Sequence, residues 1–206
     1  MYLPAAFQVT ETSQLCDLIE QHSFGLLTSQ GDEVPFASHL PFLLEPTAGP
    51  HGTLVSHMAR ANPHWRYADG QPVLVVFSGP HTYISPTWYA AENVVPTWNY
   101  VAVHAYGIFE PIFEPDDILD IVGRTVRKYE RSRQPEWTLD AGTDFADKLV
   151  QSIVGFRIEL TRLEGKWKLS QNHSVERRQR VIEGLRADGT VAAAEIADLM
   201  EGTLPS

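Results

Sequence analysis

The chain has 206 residues, is 43% hydrophobic and carries a formal net charge of -10. That length and apolar content suit one domain with at most a small appendage. The acidity argues against a broad electrostatic footprint for nucleic acid or an anionic membrane, and the single cysteine, Cys16, excludes an intrachain disulfide and fits a reducing, cytoplasmic compartment.

Taken in chain order, MYLPAAFQVTETSQ lacks a basic n-region and a long apolar stretch, so no signal peptide is expected. No run approaches the length of a membrane span. Thr10 to His22 reads as a helix with Leu15, Leu18 and Ile19 on one face. Phe24–Thr28 and Val34–Leu44 read as strands of a hairpin, and Thr53–His57 as the next strand. Asn62-Pro63 opens a short helix through Tyr67. Val73–Phe77 and Thr97–Ile108 are strands, and Pro115–Arg131 is an amphipathic helix. Phe145–Ile153 is a helix, after which Phe156–Leu163 and Lys166–Ser170 form a hairpin across Glu164-Gly165. Ser174–Leu185 and Val191–Met200 are helices split by Ala187-Asp188-Gly189. Strands in hairpin order with inserted helices predict a mainly β, α+β protein built on an antiparallel β-barrel. The alternating units of a doubly wound fold are absent.

The segment Gly79–Tyr106 holds two Trp, four Tyr and two His, broken by four Pro or Gly. Aromatic faces, short polar side chains and proline-pinned backbone suit a site for a planar, partly polar ligand. Along 97–108, Trp98, Tyr100, His104 and Tyr106 alternate with Thr97, Asn99, Val101 and Val103. That strand reads either as tightly packed core or as one face buried and the other against a ligand or second subunit, and the polar aromatic tips favour the latter. Arg60, just before Asn62-Pro63, pairs a guanidinium fork with a helix start, the chemistry of a phosphate site. The bland alternative is a solvated arginine. Lys168, Ser170 and Gln171 end the last strand, as a second point charge for a phosphate or as an ordinary hairpin end. Neither common phosphate-loop motif occurs, nor CxxC, HExxH or GxSxG. The spacing of His51, His57 and His64 matches no ligand pattern, so no metal is expected.

Six blocks then stand in order: MYLPAAF, FASHLPFLL (36–44), HMARANPHW (57–65), VFSGPHTYISPTWY (76–89), VPTWNYVAVHAYG (95–107) and GKWKLSQN (165–172). Together they resemble the PaiB family of FMN-binding split-barrel proteins, often called FMN-binding negative transcriptional regulators. The resemblance runs over about residues 1–186, leaving 187–206 as a helical tail. It implies the FMN-binding split β-barrel, a homodimer with FMN at the subunit interface, and a cofactor site drawn from Ser38, His39, Arg60, Asn62, Tyr83, Thr97, Trp98, Asn99, Lys168, Ser170 and Gln171. Ser38 and His39 would lie near the ring, and Arg60 and Asn62 would meet the phosphate. The loop in the 80s, with Thr97–Asn99, would close over the ring.

Function divides into two classes. One is a flavin-linked transcriptional regulator acting as a homodimer. The other is an FMN-dependent oxidoreductase, a flavin or small-molecule reductase or a haem-handling relative. Direct DNA binding rests on Arg177, Arg178 and Arg180 alone, and the last helix, with Glu195 and Asp198 and no basic residue, is a poor surface to enter a groove.

Overall fold

Period-two burial builds the sheet. In β2 (Phe24–Gln30) Gly25, Leu27 and Ser29 turn inward while Phe24 and Gln30 stay exposed, and β6 (Pro72–Ile84) buries Val73, Val75, Phe77, Gly79 and Ile84. The computed structural model describes residues 1–140 and 142–205. Among them lie β1 (Gln8–Val9), β3 (Pro35–Pro41), β4 (Leu43–Glu45), β5 (Thr53–Ala59), β7 (Thr97–Ile112) and β8 (Ile153–Lys168). The strand order is β3-β2-β6-β7-β8-β5-β4, with β1 paired to β8. The described pairs are antiparallel: Leu27 faces Ser38 and Val75, and Val55 faces Arg157. The helices are α1 (Thr12–Gln21), α2 (His64–Ala68), α3 (Pro115–Glu130), α4 (Asp144–Ser152), α5 (Val175–Asp188) and α6 (Val191–Glu201). This is an α+β protein on an antiparallel sheet.

The chain divides into two units, and β6, β7 and β8 contribute residues to both. The first comprises Met1–Leu15, Ser78–Val103 and the chain from Glu164 onward; the second comprises Cys16–Phe77 and His104–Leu163. The second unit is centred on stacked rings. Phe42 meets Phe77 and Phe156 edge-on at 5.6 and 6.1 Å, and Phe109 stacks on Phe156 at 4.6 Å. Ile118 and Val122 of α3 close against Val150 of α4 and Ile153. In the first unit α5 and α6 pack together. Gly189, left-handed at φ 75°, ends α5, and the Thr190 hydroxyl accepts from the Ala193 N–H to start α6.

Three expectations need correcting. Val34–Leu44 is not one strand: β3 ends at Pro41, and Leu43–Glu45 is a separate strand paired with β5. Glu164-Gly165 is not a turn, because β8 runs unbroken from Ile153 to Lys168. A Cβ on Gly165 would stand 2.1 Å from Leu15 Cδ2, so this glycine serves a close approach. Likewise β6 does not end at Phe77. The strand runs on through Gly79-Pro80 to Ile84 with the buried face reversed, so Tyr83 sits on a strand and not in a loop.

Phe156→Ala removes the ring that contacts both Phe42 and Phe109 and is expected to cost about 3–5 kcal/mol, read as a lowered urea midpoint with an unchanged slope.

Candidate functional site

The expected site residues fall into two groups, one in each unit. In the second unit β3 presents Ser38 and His39, and the turn after β5 presents Arg60 and Asn62. Ser38 sits in a polar network. Asn62 Nδ2 donates to Ser38 Oγ (3.0 Å), and His64 Nδ1 lies 2.8 Å from the same oxygen. His64 is fully buried, with Nε2 3.0 Å from Ser29 Oγ. The polarity of this chain follows from its end. The Ser29 hydroxyl donates to the Gln30 carbonyl (3.3 Å), so it accepts from a proton on Nε2. Nδ1 then holds the lone pair, and the Ser38 hydroxyl donates to it. Burial pushes the His64 pKa down, which keeps the imidazole neutral. The Asn62 side chain also accepts from the His64 N–H (3.1 Å), pinning the turn into α2.

Arg60 is tied to the end of α4. Its Nε donates to the Gln151 carbonyl and its backbone N–H to the Ser152 carbonyl, each at 2.8 Å, where a cation also complements the helix dipole. The two terminal nitrogens make no protein bond among the described residues. His39 is exposed and stacks on Phe24 at 6.1 Å.

In the first unit the structure brings Thr97, Trp98 and Lys168 together. The Lys168 ammonium donates to Thr97 Oγ1 and to the Trp98 carbonyl, both at 2.6 Å, which leaves one N–H for a ligand. Burial, and then Lys166 nearby, lower the Lys168 pKa. Asn99 is fully buried; its Nδ2 donates to Ser170 Oγ (3.1 Å) and to Met200 Sδ (3.3 Å). Tyr89 also reaches Ser170 Oγ (3.3 Å), and Ser170 itself is left-handed at φ 64°. Gln171 folds back, accepting from the Leu169 N–H and donating to the Trp167 carbonyl, each at 2.7 Å. Tyr83 meets Trp98 edge-on at 6.1 Å and His81 lies 6.2 Å from it, with both Tyr83 and Trp98 about half exposed.

Of the expected residues, Thr97, Lys168 and Ser170 line a cleft of about 320 Å³ in the first unit, with Phe7, Tyr89, the loop at Asn93–Val95, Asn172, His173 and Arg177, while Tyr83, Trp98, Asn99 and Gln171 do not line it. Sequence reasoning missed Phe7, Tyr89, His173 and Arg177 as site residues. The signal was the block GKWKLSQN running directly into HSVER, whose cations were weighed only as a DNA-facing cluster.

The family model described as "Putative FMN-binding domain" matches residues 1–162. The chain belongs to this FMN-binding family. It is 36% identical, over 99% of its length and 98% of the relative's, to the Protease synthase and sporulation protein PAI 2 of Bacillus subtilis. Among solved structures it resembles the FAD and heme binding protein from Mycobacterium smegmatis (TM-score 0.61, 17% identity, 89% of this chain and 80% of that one). It also resembles the flavocytochrome Anf3 from Azotobacter vinelandii (TM-score 0.60, 12% identity, 78% and 69%). The fold is the flavin-binding split barrel, and FMN is the cofactor of this FMN-binding chain.

The donor set fits such a group. A phosphate-bearing flavin is anionic at one end and flat and apolar at the other. The first unit offers a lysine with a spare N–H and half-exposed aromatic rings, and the second unit offers an arginine whose two terminal nitrogens make no bond among the described residues. No helix among the described residues is long and apolar enough to cross a membrane.

The histidines give a pH prediction. Burial lowers the pKa of His57 and His64, and burial with Arg177 and Lys168 lowers that of His173. The unfolded chain titrates them near about 6.5, so below that pH it binds more protons than the folded one. Stability is therefore expected to fall as the pH drops from about 6.5, and denaturant midpoints measured from pH 8 to 5 should show His64→Gln with a shallower dependence.

Proposed function

We propose that this chain is a flavin-linked homodimeric regulator of the PaiB type, in which FMN bound at the subunit interface governs association with a partner. In this reading Ser38, His39, Arg60, Asn62, Tyr83, Thr97, Trp98, Asn99, Lys168, Ser170 and Gln171 hold the cofactor, divided between two copies. The observation that carries it is the exposed aromatic cluster of Trp98, Tyr83 and His81. It lies beside a lysine already fixed by Thr97 and the Trp98 carbonyl. Half-exposed Trp and Tyr with polar tips are what a subunit interface or a flat ligand covers. The likeness to the Bacillus subtilis protein, whose name links it to sporulation, supports a regulatory role.

Regulation here runs through ligand and partner contacts and not through a grip on DNA. Arg178 is buried and bonded to Thr203, and Arg180 donates to the Tyr89 carbonyl (3.3 Å), so two of the three clustered arginines serve the fold. The remaining surface of an acidic chain has little to release counterions with.

A second reading, an FMN-dependent oxidoreductase, is favoured by the cleft beside Lys168, roomy enough for a small substrate. FMN, when bound, supplies hydride and electron transfer, and the protein supplies orientation. Steady oxidation of reduced nicotinamide by the purified protein would favour this reading.

Sedimentation of the FMN-loaded protein tests the dimer. The expected mass is twice 23.1 kDa, and Trp98→Ala should shift it toward the monomer while weakening FMN fluorescence quenching. A wild-type monomer that still quenches FMN would remove the dimer from the reading. In a parallel titration, Arg60→Ala is expected to weaken FMN binding about tenfold, the loss of one charge-assisted contact.

A further inference from the structure

The cleft of the first unit carries a charge pattern opposite to that of the whole chain. The protein has a formal net charge of -10, yet the residues that line this cleft include Lys168, His173 and Arg177 and no Asp or Glu. Neither Lys168 nor Arg177 forms an ion pair among the described residues. Arg124, Arg157 and Arg186, in contrast, are each paired with carboxylates. Burial first, and then the charges of Arg177 and Lys168, lower the His173 pKa, and all three side chains line the same cleft. Uncompensated cations gathered in a concave, partly desolvated site are costly unless an anion joins them.

The remaining walls specify the rest of the ligand. Phe7, Tyr89, Val94 and Val95 are apolar, and His173 lies against Tyr89 with ring centroids 4.7 Å apart. A volume of about 320 Å³ sits at the lower end of small-molecule sites and exceeds what a bare inorganic anion fills. The backbone around the cleft is strained. Among the described residues the non-glycine positions with positive φ are Ala90, Asn93 and Ser170. Asn93 and Ser170 line the cleft, and Ala90 follows Tyr89, which also lines it. Such strain persists where surrounding contacts hold it, and it concentrates at ligand sites.

We propose that this cleft binds the phosphate group of a phosphate monoester, with Arg177 and His173 as ligand-contacting residues beside Lys168 and the organic part against Phe7, Tyr89 and Val95. The arginine fork takes two phosphate oxygens, the free N–H of Lys168 a third, and the imidazole N–H and the Asn172 amide complete the donors. The ester comes from one of two sources, FMN's own phosphate or a separate phosphorylated small molecule. The first source rests on the cofactor reading above; the second does not.

The experiment compares wild type, Arg177→Gln and Arg177→Lys, each checked for an unchanged thermal melt. Affinities for FMN and riboflavin are read from flavin fluorescence, and binding of inorganic phosphate to the apo and FMN-loaded proteins is read by calorimetry. If the ester is FMN's own, Arg177→Gln weakens FMN about tenfold, leaves riboflavin unchanged, and Arg177→Lys restores most of the difference. If the ester is a second molecule, Arg177→Gln leaves both flavins unchanged and abolishes phosphate uptake by the FMN-loaded protein. Phosphate binding that depends on Arg177 in a protein that takes neither flavin sinks the cofactor reading and keeps the cleft. Flavin and phosphate affinities that are all indifferent to Arg177 overturn the proposal.

Discussion

The first unit depends on one serine in a backbone conformation that usually belongs to glycine. Ser170 follows β8 at φ 64°, and the turn holds because its hydroxyl is shared by the buried Asn99 amide and the Tyr89 hydroxyl. A non-glycine residue in this region costs of order 1–3 kcal/mol, which the surrounding hydrogen bonds must offset. The turn separates Lys168 from His173 and lets both line one cleft. An extended residue at 170 would carry the chain onward along the strand, and the cations would not share a wall.

The second unit solves a different problem, a polar chain with a defined direction. From the Gln30 carbonyl through Ser29 and His64 to Ser38, each proton has one place to go. Burial keeps the histidine neutral, so the Ser38 hydroxyl donates to the ring while its oxygen accepts from the Asn62 amide. Within this unit the Phe42, Phe77, Phe109 and Phe156 cluster supplies an apolar core, and the polar network sits where strand β3 and the turn before α2 meet. The network fixes side-chain orientation; the rings account for more of the burial.

Much of this was legible in the chain. Helices α1, α3, α4, α5 and α6 announced themselves through periodic apolar residues and caps, within a few residues of their observed ends. The antiparallel character followed from turn spacing, but the strand order did not: β2 lies beside β6 and β8 beside β5, pairs distant in sequence. The errors share a physical origin, since glycine and proline signal turns only on average. Gly165 exists to admit Leu15, and Gly79-Pro80 lies within a strand that continues past it with its buried face reversed. The pairing of Lys168 with Thr97 joins strands far apart in sequence, and spacing carries no information about it. The role of Arg177 was hidden by its neighbours: in a run of arginines, composition cannot distinguish one turned into a cleft from one buried beneath the last helix.

That last helix has a bearing on how sequences of this kind drift. Met200 of α6 gives its sulfur to the same Asn99 amide that supports Ser170, while Ala193, Ile196 and Ala197 bury the rest of the face. Positions 99, 170 and 200 are thus one heritable unit despite their separation along the chain. Replacing Met200 takes away that sulfur and leaves Ser170 Oγ as the partner of the Asn99 amide, so a change at 200 is felt first at 99 and 170. Alignments of such chains should show these three positions covarying, and their covariation would mark which relatives keep the same cleft floor.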